Sequence, residues 1–197
     1  MGEMIKMVVV LTFLSSFSGG LLAYVKDNTK EQINNQVLQF VKGPTIKNLF
    51  KGAENDPISD RFSVTHAEKP LDFFVAKFNG ESKIVAFETT GKGFGGDLGL
   101  MVAVDVKNDK IYGIGVTTHS ETAGIGARAK TDPSFAAQFK GILLLKPINI
   151  TSDGGQVNAL SGATITSRGV CATASQAGRI YNDLKPQIKE KLKAFTQ

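Results

Sequence analysis

The stretch SGATITSRGVC, from Ser161 to Cys171, gathers the hydroxyls of Ser161, Thr164, Thr166 and Ser167 around Gly162 and Ala163, just ahead of a helical pattern. A helix starting near Thr166 leaves its first N–H groups without intrahelical partners. Those groups, together with the helix dipole, attract an anion. Gly162 and Ala163 carry almost no side chain and so permit close approach. Thr164 would present its hydroxyl at that mouth, and Arg168, one turn in, would offset negative charge. The chemistry is phosphate held on, or next to, Thr164. The same residue types also make an ordinary Ser/Thr-rich helix cap, and taken alone they leave both readings open.

A second candidate is THSETAGIGARAK, Thr118–Lys130, which follows a strand pattern and gathers His119, Glu121, Thr122, Gly124 and Gly126. Polar groups on a loop held by a scaffold are where binding tends to sit, although a polar loop with two glycine bends reads the same way. His119 and Glu121 stand two apart, a spacing that metal ligands can take, yet no third ligand is at hand, and no metal is assigned. His66 is isolated. GKGFGG, Gly91–Gly96, fits the G-x-G-x-x-G expression, but the residues after it, DLGLMVAVDV, read as a strand. No helix start waits there for a pyrophosphate, so a glycine-rich turn into a strand is expected. Cys171 is the only cysteine, which excludes an internal disulfide, a CxxCH haem site and a thiolate cluster. No catalytic residue is assigned.

These segments need a scaffold, and 197 residues suffice for one ordinary domain with a real core. The net charge of +5 comes from scattered lysines, without aromatic RNA-binding motifs or zinc-finger spacing, and argues against nucleic acid. Met7–Val25 is uncharged over roughly nineteen residues, near the length a helix needs to cross a bilayer. The run outlasts a usual signal core and lacks an A-x-A-like cleavage site, so residues 1–26 are expected to be a retained anchor. Lys6 faces Lys26 and Lys30 across it, and charge leaves the orientation open. Residues 27–70 are expected to form a stalk helix and a connecting segment. Asn28 and Glu31 are spaced like a capping box, Ile33, Val37, Phe40 and Val41 make an apolar stripe, and KGP at 42–44 is a break.

From Leu71 to the end the expectation is one domain. DFFVAKF, KIVAFETT, LGLMVAVDV and KIYGIGVTT are β-prone runs with no helix between them, the last two joined by a turn at Asn108–Lys110, which argues for an antiparallel sheet. Asp132 and Pro133 begin a helix that Gly141 follows, and ILLLKPINI reads as a buried strand or two. The last helix shows Val170, Ala174, Ala177, Tyr181 and Leu184 on one face, with Pro186 limiting it. The fold class is α+β: one N-terminal transmembrane helix, then an antiparallel-rich sheet with flanking helices.

At NALSGAT the sequence resembles the FMN-binding domain shared by the G subunit of the Rnf electron-transport complex and the C subunit of the sodium-pumping NADH:quinone reductase. Asn158 stands where that family's attachment pattern usually has aspartate. GKGFGGDLGLMVAVD and HSETAGIGARAKTDPSFAAQF resemble the family's other motifs, with Ala123 where proline is usual. The resemblance implies FMN joined through its phosphate to Thr164, with Ser161, Gly162 and Ala163 forming the preceding turn. Thr166, Ser167 and Arg168 would lie toward the phosphate, and the loop Glu121, Thr122, Gly124, Ile125 and Gly126 along the ring or ribityl chain. It implies a separate flavin transferase acting outside the cytoplasm, hence a single-pass protein of the cell's inner membrane with the domain on the extracytoplasmic side. The partners are the other membrane subunits of an Rnf complex, which couples ferredoxin and NAD redox exchange to ion transport. The short distance from anchor to domain resembles the Rnf protein more than its quinone-reductase counterpart. From another class, the competing reading is an anchored ligand-binding module without cofactor.

Overall fold

The computed structural model describes residues 2–195, which fall into two compact units, Met1–Phe40 and Val41–Gln197. The first unit is helical: α1 spans Gly2–Gln36, with no buried residue and a window of mean hydropathy 1.9. By length and composition it is able to cross a membrane. The capping box at Asn28 and Glu31 does not form. Asn28 lies inside α1, and its side-chain amide donates to the Tyr24 carbonyl one turn back, so the helix passes through. A π-helical stretch, Val37–Lys42, follows, and α2 spans Gly43–Leu49. Pro44 therefore begins a helix instead of ending one, in the first turn, where its missing N–H costs nothing.

The second unit starts at Val41, ahead of the boundary expected at Leu71. Two elements extend it: α2, which buries Ile46, and β1, Arg61–His66. With β2 (Lys69–Phe78), β3 (Glu81–Lys92), β4 (Asp97–Asp105) and β5 (Lys110–His119), β1 forms one antiparallel sheet in sequence order. Apolar residues at every second position put Phe73, Val75, Val85, Phe87, Leu100 and Val102 on one face. The Phe73 and Phe87 rings sit 5.0 Å apart there, each contributing about 1.5–3 kcal/mol by burial. Against that face packs α5, Thr164–Lys193, through Val170, Ala174, Ala177, Tyr181 and Leu184, the stripe the sequence indicates. On the opposite face α2 lies against β5, where Gly113 and Gly115 leave room for Leu49 and Thr45.

Pro186 does not stop α5. The helix runs through it, because Ile188 and Leu192 beyond it are both buried, while Pro186 itself faces solvent. Nor is ILLLKPINI a strand. It is an irregular segment with isolated bridges at Leu143 and Ile150, and Leu143 and Leu145 are exposed. Between it and β5 lie α3 (Arg128–Thr131) and α4 (Pro133–Ala137), the latter capped by Asp132, whose carboxylate accepts the Ser134 N–H.

The turn joining β4 to β5 is tied to α5 by one carboxylate. Asp109 accepts the Tyr181 hydroxyl (2.8 Å) and the Lys185 ammonium (2.6 Å). Burial alone would raise the Asp109 pKa, but the hydrogen bonds from Lys185 and Tyr181 outweigh it and hold the group below its ordinary 3.8. A carboxyl depressed on folding contributes stability that is complete above its unfolded value and is lost as pH falls through the folded one. Asp109→Asn tolerates the same positive φ of 56° but leaves the buried Tyr181 hydroxyl and Lys185 poorly partnered. The expected loss at neutral pH is about 1–3 kcal/mol. In thermal melts, the gap between wild type and variant should close as pH falls below about 4.

Candidate functional site

Three segments meet at the start of α5: the glycine-rich loop between β3 and β4, the loop after β5, and the turn Leu160–Ala163. In the first, the Gly93 N–H donates to the Gly96 carbonyl (2.8 Å), which closes the expected turn into a strand. In the third, Gly162 adopts a φ of 79°, a region that only glycine enters freely, and the Ala163 N–H donates to the Leu160 carbonyl. The helix then starts at Thr164, two residues before the expected position, with Ala163 at the cap and no side-chain cap. The hydrogen bond from the Ser167 N–H to the Ala163 carbonyl (2.9 Å) is the first of the helical ladder. The N–H groups of Thr164, Ile165 and Thr166 precede it and carry the positive end of a long helix.

A cleft of about 380 Å³ opens at this point. It is lined by Phe94 from the first segment, by Glu121, Thr122, Ile125 and Gly126 from the second, and by residues 162–166 from the third. Its rim is unusually apolar for exposed surface: Phe94 is 67% exposed, Ile165 54% and Ile125 47%. Of the expected residues, Gly124 bends the loop with a φ of 74° but does not line the cleft, and neither do Ser161 and Ser167. Arg168 does not line it either. Its guanidinium makes a paired contact with the Asp153 carboxylate (2.7 and 2.8 Å), which holds that carboxyl below its usual range.

The four hydroxyls of the opening motif sort sharply. Ser167 is fully buried; its Oγ accepts the Leu160 N–H and donates to the Ala163 carbonyl, fastening the turn to the helix. Thr166 is buried and donates to the Glu121 carboxylate (2.5 Å). Ser161 and Thr164 are exposed, and of those two only Thr164 faces the cleft. Cys171 is buried one turn further on, and burial pushes its thiol up to about 12, so it offers no thiolate. Among the described residues, no three of His, Cys, Asp and Glu converge as metal ligands do.

Phe94 and Ile165 are the lining residues that sequence reasoning missed. The signal was present for Phe94, a large aromatic set between glycines that offer it nothing to pack against.

The α+β unit thus carries a cleft that joins an uncapped helix start to an apolar rim. Residues 93–178 match the FMN-binding domain family. The chain is 32% identical over 123 residues to the G subunit of the ion-translocating oxidoreductase complex of Stutzerimonas stutzeri, covering 59% of this chain and 54% of that one. It thus spans about half the length of that relative. To the G subunit of the proton-translocating ferredoxin:NAD(+) oxidoreductase complex of Clostridium ljungdahlii it is 29% identical over 169 residues, 85% of each chain. The crystal structure of the C subunit of the Na(+)-translocating NADH-quinone reductase from Parabacteroides distasonis superposes with a TM-score of 0.54 at 27% identity, covering 70% of this chain and 73% of that one. With the apolar helix α1, these likenesses put the chain at a membrane.

Proposed function

We propose that this chain is the electron-transferring G subunit of an Rnf-type ion-translocating ferredoxin:NAD oxidoreductase, carrying FMN esterified through its phosphate to Thr164. The observation that carries the attachment is the sorting of the hydroxyls. Thr166 and Ser167 are buried and spent on internal hydrogen bonds, whereas Thr164 is exposed in the cleft beside the free N–H groups of the helix start. The cleft fits the group. Gly162 leaves the mouth open for a phosphate, and Phe94, Ile125 and Ile165 offer apolar surface that a flat aromatic ring would cover.

The flavin, when bound, supplies the redox chemistry. The chain's own part is to anchor the phosphate, orient the ring and exclude water around it. Ser161, Gly162 and Ala163 form the turn that leads to Thr164, and the loop from Glu121 to Gly126 walls the opposite side. Arg168, engaged with Asp153, serves to fasten the 3-10 turn Thr151–Asp153 to α5, and its charge reaches the phosphate only at longer range. A flavin transferase would make the ester outside the cytoplasm, with the domain extracytoplasmic and the other members of the complex as partners.

The likeness to the C subunit of the Na(+)-translocating NADH-quinone reductase favours a second reading, in which the chain serves a complex of that kind, and the proteins that co-purify from native membranes separate the two. The direct test is the intact mass of the full chain from those membranes, with the modified peptide sequenced. The expected result is the chain plus one esterified FMN, on the peptide containing Thr164. A mass equal to that of the amino acids alone would overturn the proposal.

A further inference from the structure

Glu121 lies in the cleft wall but spends its carboxylate inside the protein. It is 9% exposed. Its Oε1 accepts the Gly95 N–H (3.0 Å), and its Oε2 accepts the Thr166 hydroxyl (2.5 Å). The slot that holds it is cut to size by glycines. A Cβ at Gly93 would strike Oε1, and one at Gly126 would sit 2.5 Å from Oε2 and 2.9 Å from the Thr166 oxygen. Each wall of this slot stands next in sequence to one apolar rim residue: Gly95 to Phe94, Gly126 to Ile125, and Thr166 to Ile165. One buried side chain therefore sets the spacing of all three rim residues, which come from three separate segments.

We infer that Glu121 is the positioning residue of the cleft: its two hydrogen bonds, not its charge on the cofactor, hold Phe94, Ile125 and Ile165 at the separation a flat aromatic ligand needs. The identity of that ligand rests on the FMN reading, while the positioning role is testable without it. A charged acceptor in a buried site makes hydrogen bonds of the stronger kind, so losing it releases a backbone amide measurably. Glutamine preserves both contacts, because its oxygen accepts from Gly95 and its amide donates to the Thr166 oxygen. Alanine preserves neither.

The experiment is amide hydrogen exchange on the full-length chain in detergent, produced without flavin. Gly95 in Glu121→Ala should exchange at least about tenfold faster than in wild type, and in Glu121→Gln within about threefold of it. Amides of β4 serve as the internal reference for folding. If Glu121→Ala does not fold, Thr166→Val, which removes a single bond at nearly constant shape, should speed exchange at Gly95 and at Ala127. Unchanged exchange at Gly95 in the folded alanine variant, or equal acceleration in the glutamine variant, overturns the inference. In flavin-loaded protein, Glu121→Gln should keep the wild-type visible absorption. A shifted spectrum with Gly95 still protected would mean that the charge acts on the flavin, and would equally overturn it. Wild type that never carries flavin would sink the FMN reading and leave the exchange result to decide this one.

Discussion

Valine at position 164 is expected to give a chain that folds as the wild type does and carries no covalent flavin. Thr164 is exposed, and its hydroxyl has no hydrogen-bond partner among the described residues, so nothing in the core depends on it. Valine is β-branched like threonine and nearly equal in helix propensity, which keeps the stability change within about 0.5 kcal/mol. What valine lacks is the oxygen that would form the ester. On a denaturing gel under ultraviolet light, the wild-type band should fluoresce, the Thr164→Val band should be dark, and Thr164→Ser should recover part of the signal. Thr166→Val removes a hydroxyl that is already committed to Glu121, so it should leave covalent attachment possible. Fluorescence persisting in Thr164→Val would move the linkage to Ser161, the other exposed hydroxyl of the motif.

The position of that hydroxyl was legible in the sequence, but its selection was not. Hydroxyl-rich turns before helices are common, and what singles out Thr164 is which neighbours are consumed elsewhere. The partners that consume them are distant in the chain. Thr166 meets Glu121 across 45 residues, and Gly95 meets the same carboxylate across 26. Local pattern worked in the apolar stripe of α5, where one face is buried and the other is not, and in the continuous apolar runs of β2 to β4, where both faces are covered. It failed where burial overrode a local signal. Pro186 should end a helix, yet Ile188 and Leu192 find the core beyond it and carry the helix on. In β1 only Val64 is fully buried, so its alternation is faint, and the strand exists because it pairs along β2 from Arg61–Phe74 to His66–Lys69. Arg168 was legible as a cation near the mouth, but Asp153, in a turn fixed by the fold, takes its guanidinium.

Gly169→Ala sets two physical effects against each other. In an exposed helix interior, alanine is favoured over glycine by about 1 kcal/mol. Position 169 is not exposed: a Cβ there would collide with the Lys92 carbonyl oxygen and lie 3.1 Å from the Gly93 Cα. Those atoms are backbone and have no rotamer in which to retreat. The same seam is tight from the other side, since a Cβ at Gly91 would collide with the Thr173 hydroxyl, which is itself bonded to the Gly169 carbonyl (2.7 Å). Either α5 backs away from the sheet or the loop after β3 shifts, and overpacking of this kind costs typically about 1–3 kcal/mol. The clash should win, so Gly169→Ala should lower the denaturation midpoint although its helix propensity rises. The exposed Ala172, one turn on, gives the control: Ala172→Gly should lose about the intrinsic 1 kcal/mol and no more. Propensity acting alone would make the two variants move in opposite directions, whereas the clash at position 169 makes both fall. Because Lys92 and Gly93 lead directly into Phe94, the same substitution should widen the cleft and reduce flavin loading, while Ala172→Gly should leave loading unchanged.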